Sequence, residues 1–218
     1  MTREQVCVSI GEGSRAEVKA AVERFGFAEI RLDLCRLTIE EIAEVFSIGK
    51  PLIAACREGA YGRDERLGRL LAAIRAGATF ADVETEADES FRHAVAEQAK
   101  RYGCRLIVSH HDFERTPPVE EMLLAIEKCR KQGADTVKFV STANHRRDSA
   151  RVLSLYALCT DFPLVAFAMG KTGRVTRLAC VPLGAPFTYA AVSDDKATAG
   201  GQMSFDTMKT FISLNNSY

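Results

Sequence analysis

Short apolar runs alternate with amphipathic stretches along the chain. The runs cover residues 6–10, 27–34, 52–56, 80–84, 105–110, 136–140, 164–169 and 187–192, eight in all. Between them lie patterns such as R-A-E-V-K-A-A-V-E-R-F, D-E-R-L-G-R-L-L-A-A-I-R and V-E-E-M-L-L-A-I-E-K-C, whose apolar residues recur at three- and four-residue steps, the period of a helix with one buried face. Helix entries are signalled by Ser14, by Thr38 with Glu41 three residues on, and by Thr116 followed by Pro117. Strand and helix in strict alternation predict a parallel sheet covered by helices, because parallel neighbours need a long crossover. Eight such units predict a (β/α)8 TIM barrel, α/β in class, as a single domain over residues 1–218. A doubly wound open sheet is the alternative, since periodicity does not report closure. No Pro- or Ser-rich linker and no low-complexity tract divides the chain.

Polar residues interrupt this pattern where a barrel should be apolar. The second run reads E29-I-R31-L-D33-L, placing three ionisable groups on one face at period two, with Ile30, Leu32 and Leu34 on the other. Charges turned into a barrel interior need partners or a ligand, because an unpaired buried charge is very costly. Arg57 follows the third run, Glu84 ends the fourth, His111 follows the fifth, Lys138 lies in the sixth and Gln202 comes after the eighth. Most of these are C-terminal strand ends, where barrel active sites are built. Lys138 sits inside the apolar run A-D-T-V-K-F-V. Burial there favours the neutral amine, a nucleophile toward carbonyls, and His111 adds an imidazole suited to proton transfer. The competing readings are a lysine that snorkels to water and an ion-pair network that merely fills the barrel.

Composition narrows the partners. Lys plus Arg and Asp plus Glu both number 29, so no net field points to nucleic acid or an anionic membrane, and a small molecule is the expected partner. Seven scattered cysteines without a C-x-x-C pair suggest buried, reduced thiols. The polar start and the lack of any membrane-length apolar run predict a cytoplasmic protein. G170-K171-T172 imitates the end of a phosphate-binding P-loop, but Val165 stands where that motif needs glycine. His110, His111 and Asp112 are adjacent, so strand alternation keeps them from converging on one metal, and His93 and His145 lie in charged helical stretches.

These residues together resemble the type I 3-dehydroquinate dehydratases, the Schiff-base-forming dehydratases of the shikimate pathway. The resemblance is carried by E-I-R-L-D (29–33), S-H-H-D-F-E-R-T-P (109–117), G-A-D-T-V-K (133–138), K-T-G-R-V-T-R-L-A (171–179) and A-T-A-G-G-Q (197–202), in order along the whole chain. It implies a (β/α)8 barrel, usually dimeric, that needs no metal or organic cofactor and removes water from 3-dehydroquinate. Lys138 would form the imine and His111 would move the protons. Ser9, Glu29, Arg31, Arg57, Arg177, Thr198 and Gln202 would contact substrate, with Thr198 at a position that is serine in many members. Phe167 and Tyr189 fall where the family is apolar or aromatic.

One departure stands out. The family commonly carries a glutamate four residues after the arginine that Arg57 matches, and here that position is Tyr61. The group that orients His111 is therefore expected to be Glu84 or Glu58, with Glu84 preferred, the alternative being Tyr61 or a backbone carbonyl. The rival functions are another class I Schiff-base aldolase and a non-catalytic ligand sensor. No glycine-rich phosphate cradle stands out in the last two loops, which argues against the first, and intact Lys138 and His111 argue against the second.

Overall fold

Capping chemistry sets where the first helices begin. In this computed structural model, which describes residues 2 and 5–215 with side chains through residue 211, Ser14 and Thr38 each close a capping box with the glutamate three residues on. The strands are β1 (Val6–Ile10), β2 (Ala28–Arg31), β3 (Leu52–Ala55), β4 (Phe80–Glu84), β5 (Arg105–His111), β6 (Thr136–Thr142), β7 (Leu164–Met169) and β8 (Thr188–Ala191). The helices are α1 (Arg15–Phe25), α2 (Ile39–Phe46), α3 (Arg63–Arg75), α4 (Glu89–Tyr102), α5 (Val119–Lys131), α6 (Arg146–Leu158), α7 (Arg174–Ala179) and α8 (Phe205–Asn215). The sheet runs β7-β6-β5-β4-β3-β2-β1-β8. The last strand thus returns beside the first, which is barrel topology and rules out the doubly wound alternative.

The chain forms two compact units, one of Ser9–Ile107 and one of Met1–Val8 with Val108–Tyr218. Within the first, β2, β3 and β4 are parallel, with Arg31 level with Ala55 and Ala55 level with Asp82. Phe46, Phe91, Leu70 and Ile74 are fully buried in its helices. Within the second, β6 and β7 are parallel, with Lys138 level with Val165 and Val140 level with Phe167. Tyr156 of α6 holds β7 by donating to the Ala166 carbonyl at 2.8 Å while accepting its N–H at 2.7 Å. Each such bond contributes on the order of 1 kcal/mol.

Two local expectations fail for identifiable reasons. The second strand stops at Arg31, because the N–H groups of Leu34 and Cys35 both turn back to the Arg31 carbonyl. Asp33 therefore lies in a turn and Leu34 is 46% exposed, so neither continues a face of the strand. Thr116 does not cap α5, whose N-cap is Pro118. Its hydroxyl instead bonds the Ser141 hydroxyl and the Thr142 carbonyl, both at 2.9 Å, fastening the preceding loop to β6.

Candidate active site

The Ser9–Ile107 unit carries a lattice of alternating charge. Ser9 at the end of β1 donates to Glu29 Oε1 at 2.9 Å, both residues buried. Arg31 grips Asp33 through Nε–Oδ1 at 3.0 Å and Nη2–Oδ2 at 2.6 Å, a bidentate pair. Arg57, two residues beyond β3, reaches Asp82 Oδ2 at 2.8 Å and Glu84 Oε1 at 3.3 Å. Burial disfavours the Arg57 cation, but the charges of Asp82, Glu84 and Glu29 outweigh that cost and raise its pKa above the usual arginine value. Burial also opposes the charge on Arg31, and Asp33 and Glu29 again more than compensate. Arg66 of α3 extends the lattice, meeting Glu84 Oε2 at 2.5 Å and Glu58 Oε1 at 3.1 Å, with its guanidinium 4.5 Å from the Phe91 ring centroid.

Asp82 and Arg66 were not singled out by the sequence. Asp82 had a readable signal, since it lies two residues before Glu84 on a strand and so shares its face. Arg66 had none, because one arginine in an amphipathic helix reads as a solvated residue. The three residues expected to orient His111 all have partners in this unit. Glu84 holds Arg57 and Arg66, Glu58 holds Arg66 with its own side chain 78% exposed, and the Tyr61 ring lies 3.7 Å beneath the Arg69 guanidinium.

In the second unit Lys138 and Arg177 lie on rings. Lys138 is 5% exposed in the middle of β6, with Nζ 4.3 Å from the Tyr189 ring centroid. Tyr189 of β8 packs on Phe167 of β7 with centroids 5.8 Å apart, and Phe167 in turn carries the Arg177 guanidinium at 4.1 Å. Arg177 is buried on α7, and three groups converge there: Thr188 donates to the Arg177 carbonyl, while the adjacent Thr176 hydroxyl accepts from Ala168 N–H and donates to the Gly173 carbonyl. His110 and His111 end β5, and Asp112 N–H donates to the Val140 carbonyl at 2.8 Å. That bond sets His110 level with Phe139, on which its ring stacks at 5.7 Å. Strand alternation then puts His111 on the face of β5 that matches the Lys138 face of β6. The His111 ring stacks on Phe113, and Asp112 accepts from the N–H groups of residues 114 and 115.

The loop after β8 brings Thr198 and Gln202 together, Thr198 N–H and hydroxyl both donating to Gln202 Oε1 at 2.9 and 3.1 Å. It rests on the loop after β7. Gly170 N–H donates to the Gly200 carbonyl at 3.2 Å, and a Cβ on Gly201 would meet Gly170 O at 2.3 Å, with φ at +76°. Only glycine serves at that position.

A (β/α)8 chain with ionisable groups at or near the C-terminal ends of several strands has the layout of a barrel enzyme. The chain belongs to the type I 3-dehydroquinase family, whose model matches residues 6–217, and it is a hydro-lyase. It is 34% identical to the 3-dehydroquinate dehydratase of Desulfotalea psychrophila over 96% of this chain and 97% of that protein. It is 37% identical to the enzyme of that name from Thermococcus gammatolerans, over 84% and 85%. The crystal structure of the type I 3-dehydroquinate dehydratase of Clostridium difficile with covalently modified comenic acid superposes with a TM-score of 0.85, at 22% identity, covering 98% of this chain and 92% of that one. The Geobacillus kaustophilus 3-dehydroquinate dehydratase follows at 0.84 and 24%, covering 98% and 91%.

Proposed function

We propose that Lys138 and His111 carry the chemistry of this family in this chain. The reaction is the dehydration of 3-dehydroquinate to 3-dehydroshikimate, a step of aromatic amino acid biosynthesis. The Lys138 amine attacks the ketone carbon and expels the ketone oxygen as water, leaving a protonated imine that draws electrons from the neighbouring carbon. His111 takes the acidified C2 proton. The enamine that forms pushes out the C1 hydroxyl, which leaves as water with a proton returned by the same imidazole, in a syn elimination. Water then hydrolyses the imine and frees Lys138.

Arg177 binds the substrate carboxylate through its planar fork. Ser9, Glu29, Arg31 and Arg57 take the ring hydroxyls, and Thr198 and Gln202 close over the ligand. Glu84, Glu58 and Tyr61 are separated as orienting groups for His111 by the pH profile of turnover in Glu84→Gln, Glu58→Gln and Tyr61→Phe. Loss of the orienting partner should cut the rate by about tenfold or more. The enzyme is expected to act as a cytoplasmic homodimer, which light scattering of the purified chain checks as to assembly. Among the described residues no helix is long and apolar enough to cross a membrane.

The observation that carries the reading is a lysine buried in mid-strand over an aromatic ring, with His111 on the matching face of the neighbouring strand. Incubation with 3-dehydroquinate should produce the ultraviolet absorbance of a conjugated enone. Absence of product from correctly folded enzyme would refute the assignment.

A further inference from the structure

The G170-K171-T172 triplet, which fails as a P-loop, lies at a cavity. Lys171 and Thr172 line a space of about 480 Å³ together with Arg146, Ser149 and Val175, a volume in the range of small-molecule sites. Two cations and two hydroxyl residues face it, and no carboxylate is among those lining groups. Arg146 and Lys171 make no ion pair or hydrogen bond through their side chains among the described residues, and neither do their neighbours Arg147 and Arg174. The acidic residue nearest in sequence is engaged elsewhere. Asp148 accepts from the N–H groups of Asn144 and His145 and pairs with Arg151 at 3.5 Å.

The wall is also fixed in place. The Ser149 hydroxyl, buried on α6, donates to the Thr172 carbonyl at 2.9 Å, tying the loop after β7 to the helix that carries Arg146. Gly170, just before Lys171, bears the packed backbone of Gly200 and Gly201. The cavity differs from the Arg177 site by helix geometry. Val175 and Arg177 are two residues apart on α7, about 200° around the axis, so the half-exposed Val175 and the buried Arg177 point to opposite sides.

We propose that this cavity is a second anion site that takes a phosphomonoester, with Arg146 and Lys171 on the phosphate, the Thr172 hydroxyl donating to it and Val175 against the organic part. A guanidinium and an ammonium together suit a dianion better than a single carboxylate. The volume exceeds what inorganic phosphate fills, which favours an ester over the free ion.

The experiment is isothermal titration calorimetry of the full chain with glycerol phosphate at constant ionic strength, with inorganic phosphate and sulfate as controls. Arg146→Ala/Lys171→Ala is the comparison variant. The expected result is saturable one-to-one binding of glycerol phosphate, tighter than either control and weakened by about tenfold or more in the variant, with turnover of 3-dehydroquinate unchanged. Three results would overturn the proposal. These are no saturable binding, equal weak binding of all three anions as to any basic surface, and binding retained by the variant but displaced by substrate, which would put the anion on the Arg177 side. If the double variant fails to fold, Lys171→Gln alone must show the same selective loss.

Discussion

Two regions of the molecule set buried cations beside different groups. At β2 to β4, guanidinium groups meet carboxylates: Arg31 with Asp33, Arg57 with Asp82 and Glu84, and Arg66 with Glu84 and Glu58. At β6 to α7, Lys138 and Arg177 lie on the faces of Tyr189 and Phe167. A carboxylate neutralises its partner and fixes it as a rigid donor. A ring face attracts a cation through its quadrupole, with no carboxylate needed at that face. On the function proposed above, the groups that bind the ring hydroxyls fall in the first arrangement, and the groups that react with substrate or take its carboxylate fall in the second.

The sharpest break in this contrast is at Lys138. Lys138→Arg places a guanidinium beside the Tyr189 ring that cannot form an imine, so turnover should fall by a factor on the order of 10⁴ or more while the fold persists. Steady-state kinetics with circular dichroism checks both parts. Near-wild-type turnover would mean that the amine is not the nucleophile.

Asp82→Asn attacks the other arrangement. It leaves Arg57, which burial already disfavours as a cation, with one carboxylate fewer in direct contact, and should cost about 3 kcal/mol of stability together with a raised KM. Denaturant unfolding of the variant beside wild type measures the first effect. Arg177→Lys should then raise KM by about tenfold with little change in kcat, because a point charge replaces a fork. An equal fall in kcat would instead make Arg177 a transition-state group.

Smaller effects should separate ring from hydroxyl. Tyr189→Phe keeps the face under Lys138 and should change kcat/KM by less than about threefold, whereas Tyr189→Leu removes the face and should cost about 1–2 kcal/mol of transition-state stabilisation. The least change is expected at the thiols. Burial pushes Cys35 and Cys56 up to about 12, so at pH 8 both stay protonated. Alkylation of the native enzyme should leave them unmodified and activity intact, as mass spectrometry after iodoacetamide treatment would show.

Much of this contrast could be read along the chain. The eight strands follow from period-two and apolar runs, and β1, β4 and β7 begin and end where those runs do. Lys138, His111 and Arg57 were visible because a polar residue at an apolar strand or its C-terminal end is locally anomalous. Asp33 was misplaced because a period-two pattern continues through a turn that backbone hydrogen bonding closes at Arg31. Arg66 and the stacking of Lys138 on Tyr189 were not legible. The first depends on which face of α3 is buried, and the second on two strands 51 residues apart in sequence being brought together.

The central claim is that the ring-held lysine reacts covalently with substrate, and trapping tests it most directly. The enzyme is incubated with 3-dehydroquinate and sodium borohydride, digested, and its peptides are mapped by mass spectrometry. The account predicts a reduced ligand adduct on Lys138 and none in Lys138→Arg. An adduct on Lys171 or Lys196, or none at all in an enzyme that turns over, would contradict it.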